Sequence, residues 1–263
     1  MGAIEPPVFN TFGLPHHVVF SWVVMAVLIG LALALPRRPA LVPTGLQNAM
    51  EAALEFVLGL IDDVIGPEGR RVFPLIATLG LYIFFSNLLG LVPGFAAPTD
   101  NVNTTASCAL VVFFTYHWIG IRKHGLWPYL RHFAGPVPWL APLMVPIELI
   151  SHLARPLSLS VRLFGNMMGG HILLSMIFFM TVGLSTWGLS GAAGWLGIFV
   201  GGFGTIMAVA FTMFVFGLKL LVAALQAFIF IMLSMLYIAG ALEAEHEPAH
   251  GHTGHGAEAG AHH

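Results

Sequence analysis

Two uninterrupted apolar stretches, about Leu140 to Val182 and Trp195 to Ile238, constrain this chain more than any other feature. Each holds roughly 43 residues, which as helix at ~1.5 Å per residue would reach about 65 Å, some twice the hydrocarbon thickness of a bilayer. Each is therefore either a hairpin of two spans or one steeply tilted helix, and the residues leave both open. Three shorter runs precede them, each sufficient for one crossing: Val18 to Leu35, closed by Pro36 and Arg37-Arg38; about Phe73 to Val92, ending at Pro93-Gly94; and about Ala106 to Ile121, ending at Arg122-Lys123. Composition points the same way. Of 263 residues 57% are hydrophobic and only 8% are Asp, Glu, Lys or Arg, against about 25% charged in a soluble domain. That excludes a soluble enzyme. A formal net charge of −2 gives no footing for nucleic acid, and the single cysteine, Cys108, cannot close an internal disulfide. With no G-x-x-x-x-G-K-[ST] phosphate loop, no nucleotide chemistry is expected, and neither a cofactor nor a metal.

The expected fold is an all-α polytopic membrane protein with about five transmembrane helices. Of the ten basic residues, seven lie in loops: Arg37, Arg38, Arg70, Arg71, Arg122, Lys123 and Arg131. All fall on one side if each long stretch crosses once, so the positive-inside rule puts the N-terminus outside and the C-terminus in the cytoplasm. No Lys or Arg precedes the first run, so Val18 to Leu35 reads as a retained anchor and not as a secretory signal. Between the first two spans, Leu46, Met50, Leu54, Val57, Leu58, Ile61 and Ile65 recur at helical spacing, with Gln47, Glu51, Glu55 and Asp62 off the stripe. Thr44 with Gln47 fits a capping box. This predicts an amphipathic helix on the cytoplasmic membrane surface, or one packed on another subunit. Residues 1–242 read as a single membrane domain. Residues 243–263 form a Gly-, Ala- and His-rich tail too poor in apolar residues to fold, and its histidines match no defined metal site.

Three basic residues, Arg155, Arg162 and Lys219, lie inside the long apolar stretches. Such a charge at the bilayer centre costs on the order of 2.5–3.5 kcal/mol even on the lenient insertion scale, so each needs a partner or a wet path. Glu148, Arg155 and Arg162 follow one another at intervals of seven, as do Thr212, Lys219 and Gln226. Seven residues are nearly two helical turns, which sets each trio along one face. Ser151, His152, Ser158 and Asn166 extend the first stripe. Two apolar helices with one polar stripe each can form a seam along which an ion or proton moves. Arg155 and His152 fit the cytoplasmic mouth or lipid head groups better than proton transfer.

Arg162 cannot relay a proton, because arginine stays protonated in proteins. As a fixed cation in a low-dielectric layer it favours the ionised form of a nearby carboxylate. At ~4 Å and an effective dielectric near 20 the attraction is about 4 kcal/mol, or about three pKa units. That is enough to make a passing carboxylic acid release its proton. Within this chain, Glu148 is about four turns away along the stripe, so the carboxylate is expected on another polypeptide.

The segment Arg155-Pro156-Leu157-Ser158-Leu159-Ser160-Val161-Arg162-Leu163-Phe164-Gly165-Asn166-Met167 resembles the signature of subunit a of the F-type ATP synthases. Leu225-Gln226-Ala227-Phe228-Ile229-Phe230 is similar to that family's second signature, and the run from Phe84 to Pro93 to its second-span motif. The resemblance implies a non-catalytic stator in a bacterial inner membrane, beside a rotating ring of c subunits and held by peripheral-stalk b subunits. It implies two offset half-channels separated by the arginine matching Arg162, and long, strongly tilted last helices that wrap the ring. The ion-path positions carried over are Glu148, Ser158, Arg162, Asn166, His171 and Gln226, with Asn87 lining the outer side. Many relatives carry Glu where this chain has His171, and His or Glu where it has Lys219. Histidine can relay, since its ordinary pKa lies in the neutral range, whereas lysine can do so only if burial lowers its proton affinity.

The rival reading is a secondary transporter that uses Arg162 to bind an anionic substrate. Transporters of that kind are built from two related halves, and no counterpart of the Arg162 segment occurs before residue 140. A purely structural scaffold would have no use for two facing polar stripes.

Overall fold

The structure, a computed structural model, describes residues 15–35, 43–92, 95–132, 141–189 and 194–243. The described residues form seven α-helices and no strand: α1 (His16–Ala34), α2 (Leu46–Val64), α3 (Phe73–Leu89), α4 (Val102–His124), α5 (Leu126–His132), α6 (Ala141–Leu189) and α7 (Gly194–Glu243). Arg37, Arg38 and the tail from 244 lie outside the described residues.

The two long stretches are continuous helices, α6 of 49 residues and α7 of 50. That removes the hairpin alternative. Helices α1 and α4 and long parts of α6 and α7 are apolar and long enough to cross a membrane, and α3 adds a shorter apolar helix of 17 residues, still about the minimum for a crossing. Helices as long as α6 and α7 must run obliquely if their apolar lengths stay within a layer about 30 Å thick. Pro146 and Pro156 lie inside α6, and each removes one backbone hydrogen bond.

Local chemistry sets the helix ends. Asn101 caps α4 by accepting from the Asn103 amide at 2.9 Å. Arg122, Lys123 and His124 occupy its last turn, where cations favour the helix dipole. Gly125, at φ +83°, then breaks the helix. The capping box expected at Thr44 does not form. Gly45 occupies the cap position at φ +56° without a side-chain cap, and Gln47 Nε2 donates instead to Glu51 Oε1 at 2.8 Å. The apolar stripe of α2 forms as expected, and part of it is used within the chain. Ile61 is fully buried, Val57, Val64 and Ile65 pack on the same core, and Phe56 meets Phe228, so α2 docks on this chain's own α3 and α7.

The core lies where α3, α4 and the C-terminal half of α7 converge, around Ile76, Ile83, Val112, Tyr116, Phe230, Met235 and Ile238, with Leu159 and Leu163 of α6 closing it. Helices α6 and α7 make the most extensive contact in the fold, and α6 also packs on the Pro98–Asp100 turn. Lys123 at the end of α4 reaches Glu68, in the 3-10 turn before α3, at 3.1 Å. Arg70 of that turn pairs with Asp62 at 2.8 Å and holds its carboxyl below the usual carboxylate range. The basic loops before α3 and after α4 therefore lie at one end of the bundle. Opposite them, the 3-10 turn Pro98–Asp100 joins α3 to α4.

Candidate functional site

The polar stripes of α6 and α7 meet, but the α6 stripe is not one face. Glu148, His152 and Arg155 turn inward, while Ser158 and Arg162 lie on the open side. A seven-residue repeat on a helix of 3.6 residues per turn drifts by about 20° per repeat. From Glu148 to Arg162 that is only about 40°, so what separates the two parts is cover: Tyr116 of α4 meets His152 and Tyr237 of α7 lies under Arg155.

Arg162 is exposed on that open face and makes no hydrogen bond or ion pair with any described residue. Its neighbours on the same side are small: a Cβ added at Gly165 or Gly169 would meet nothing within 4 Å. Around it, Leu157, Val161, Met168, Leu221, Val222 and Leu225 are exposed. This is a large apolar surface with one cation in it. One turn along α6, Asn166 Nδ2 donates to Gln226 Oε1 at 2.6 Å, which locks α6 to α7. Gln226 is only 2% exposed, and its Nε2 is buried with no partner among the described residues. Ser158 also faces outward and back-bonds to the Arg155 carbonyl at 3.0 Å.

Toward the basic end, the ionisable groups are paired. His152 Nε2 lies 3.2 Å from Glu148 Oε1, and its Nδ1 lies 3.2 Å from the Tyr116 hydroxyl. Arg155 sits over the Tyr237 ring, 5.4 Å from its centroid. His152 is 9% exposed and braces α4 against α6 at the basic end. Arg155 likewise uses its charge on an aromatic face of α7. Glu148 stays partly open to the surroundings, at 38% side-chain exposure.

Toward the other end stand His171 and Lys219. Both are half-buried, and His171 Nε2 and Lys219 Nζ are shielded without a hydrogen-bond partner. Gly170 makes room for the lysine stem, since a Cβ there would lie 2.9 Å from Lys219 Cε. Asn87 is 1% exposed, and both ends of its amide are engaged. It donates to the Ala223 carbonyl at 3.3 Å and accepts from Thr99 at 2.7 Å. It therefore ties α3, the Pro98–Asp100 turn and α7 together. Two residues escaped the sequence reading. Ser160 meets Thr105 of α4 at 3.1 Å in a buried contact, and Asp100 joins His171 and Lys219 closely enough to feel both charges. The one available signal for Asp100 is a lone acid in a loop otherwise free of charge.

Fold and seam together define a class: a multi-pass helical membrane protein with ionisable residues gathered between two helices, the arrangement that marks ion or substrate paths in membranes. Comparison with known proteins narrows it. The family model for the ATP synthase A chain matches residues 18–239, and this chain belongs to that family. It is 49% identical to ATP synthase subunit a 1 of Syntrophotalea carbinolica over 89% of each chain. To ATP synthase subunit a of Syntrophobacter fumaroxidans it is 44% identical over 94% of this chain and 92% of that one. Subunit a of Geobacter sulfurreducens is also 44% identical, over 87% of this chain and 88% of its own.

Proposed function

We propose that this chain is the ion-conducting stator subunit of the membrane sector of an F-type ATP synthase, passing protons to and from carboxylates on a rotating ring of c subunits. One observation carries the reading: Arg162 stands unpartnered on the open apolar face of α6. An arginine left that way in a membrane is costly, and a carboxylate presented by a neighbouring protein would offset the cost. The small surfaces at Gly165 and Gly169 let another helix approach closely.

The chemistry follows from charge. A protonated carboxyl group carried to within ~4 Å of the guanidinium loses its proton, because the attraction for the anion is worth about three pKa units. Moved away into apolar surroundings, the carboxylate favours its neutral form and takes a proton up again. Release and uptake therefore happen on opposite sides of Arg162. On one side the path runs past Asn87, His171 and Lys219 to the Asn166–Gln226 pair. On the other it runs past Ser158 to Glu148. The arginine blocks a direct leak between the two because it neither accepts nor gives up a proton. The chain supplies no nucleotide chemistry; it is an ion-translocating, non-catalytic subunit. The basic end of the bundle faces the cytoplasm, with the N-terminus outside, in keeping with the positive-inside rule. Its partners are the ring, the peripheral-stalk b subunits and the bilayer.

The test is ATP-driven proton pumping by the complex carrying Arg162→Ala. The expected result is loss of pumping with the ring still associated. Pumping at the native rate contradicts the proposal.

A further inference from the structure

Packing does not explain the group formed by Asp100, His171 and Lys219. Asp100 Oδ1, His171 Nε2 and Lys219 Nζ are each shielded and make no hydrogen bond to any described residue. They come from three elements: the Pro98–Asp100 turn, α6 and α7. Asp100 feels the charges of both His171 and Lys219, so the three are close, yet no direct ion pair joins them. Burying an acid, an imidazole and an ammonium without partners costs several kcal/mol. Neither Asn87 nor Thr99 bonds to any of the three: Thr99 donates to Asn87, and Asn87 donates to the Ala223 carbonyl. A polar gap with several inward-facing groups is the kind of place that holds ordered water. Asp100 is itself only half-buried, so it reaches both the surface and the interior.

Resting on the function proposed above, we infer that Asp100 is the entry group of the outer half-path: it takes protons from the outer aqueous phase and passes them, through bridging water, to His171. Lys219 stays charged and acts as the fixed counter-ion. The steps balance. The Asp100 carboxylate accepts a proton and becomes a carboxylic acid. That proton moves to the His171 Nε2 lone pair, leaving imidazolium and restoring the carboxylate. Imidazolium then gives the proton to the carboxylate on the ring and returns to neutral imidazole. Burial raises the proton affinity of Asp100 above the usual carboxylate range, against the pull of His171 and Lys219. That brings donor and acceptor closer in affinity, which eases exchange. Asp100 from the turn and Lys219 from α7 are the charged groups facing His171. Removing the acid leaves His171 with a lysine alone, which disfavours the imidazolium.

The experiment compares Asp100→Asn and Asp100→Glu in the full complex, measuring proton flow through the membrane sector while the outer pH is varied. Asp100→Asn is expected to lower flow by about tenfold or more and to shift the activating limb toward acid, with Asp100→Glu restoring both in part. Native flow, or lost flow with an unshifted profile, overturns the inference. If Asp100→Asn prevents assembly, Asp100→Asn with Lys219→Gln decides: removing both charges is expected to restore assembly, and failure to do so also overturns it. Arg162→Ala run alongside separates the two ideas. Native pumping there sinks the conduction mechanism itself, whereas an unshifted Asp100→Asn profile with Arg162→Ala inactive sinks only the entry group.

Discussion

The two ends of the α6–α7 seam are built on opposite principles. At the basic end, His152 has contacts at both ring nitrogens, and Arg155 is spent on Tyr237. At the other, His171 and Lys219 have shielded polar atoms with no protein partner among the described residues. Both ends hold histidine, a basic residue and an acid, so composition alone does not separate them. Partnering does. A satisfied polar network rigidifies the fold, whereas unsatisfied groups in a membrane interior call for water. The seam is braced at one end and carries unpartnered buried polar atoms at the other. Between them, Asn166 and Gln226 bridge the helices directly beside the exposed Arg162.

This contrast can be broken by substitution, ordered here by expected effect on proton flow. His171→Leu removes the proposed relay group from the end with unpartnered polar atoms. Flow through the assembled complex should fall by about 10- to 100-fold with little change in thermal stability, and native flow would erase the distinction. Gln226→Leu breaks the hydrogen bond to Asn166 in the middle. An interhelical bond of this kind is worth about 0.6–2 kcal/mol, so coupling of ATP hydrolysis to pumping should weaken several-fold without being lost. Tyr116→Phe acts on the braced end and should hardly change flow per assembled complex. It should instead lower the stability of the detergent-solubilised complex by about 1–3 kcal/mol, the cost of leaving a buried polar group unpaired. A large loss of flow with unchanged stability would show that the Tyr116–His152 contact itself carries protons beside the path past Ser158 to Glu148.

Much of the fold is legible in the residues because the bilayer imposes a length. The runs at Val18, Phe73 and Ala106 become α1, α3 and α4 with boundaries shifted by a few residues. Whether the long stretches turn back was not legible, because every basic loop residue, from Arg37 to Arg131, precedes them and keeps its side either way. The Thr44–Gln47 pattern misleads because Gly45, at positive φ, takes the cap position and leaves Thr44 outside the helix. In the candidate site, seven-residue spacing sets Lys219 and Gln226 along one side of α7, but it cannot tell the partly buried Lys219 and the buried Gln226 from the exposed Arg162 of the α6 stripe. Asn87 matches a family motif, yet its amide is committed to Ala223 and Thr99. Asp100 shows only that it is a lone acid in an otherwise uncharged loop. Only the folding of its turn against α6 and α7 brings it to His171, and no local spacing records that approach.

The central claim is that the open face of α6 carrying Arg162 meets a carboxylate-bearing helix of a rotor. Gly165 offers a direct probe, since a side chain there points into open space, while the native Cys108 is buried and out of reach. With Gly165→Cys in the assembled complex and single cysteines placed along the ring subunit, oxidative cross-linking reads which residues pass α6. A cross-link to the ring helix within one turn of its carboxylate is the predicted result. Cross-linking to any other subunit, or none to the ring in an active complex, contradicts the account.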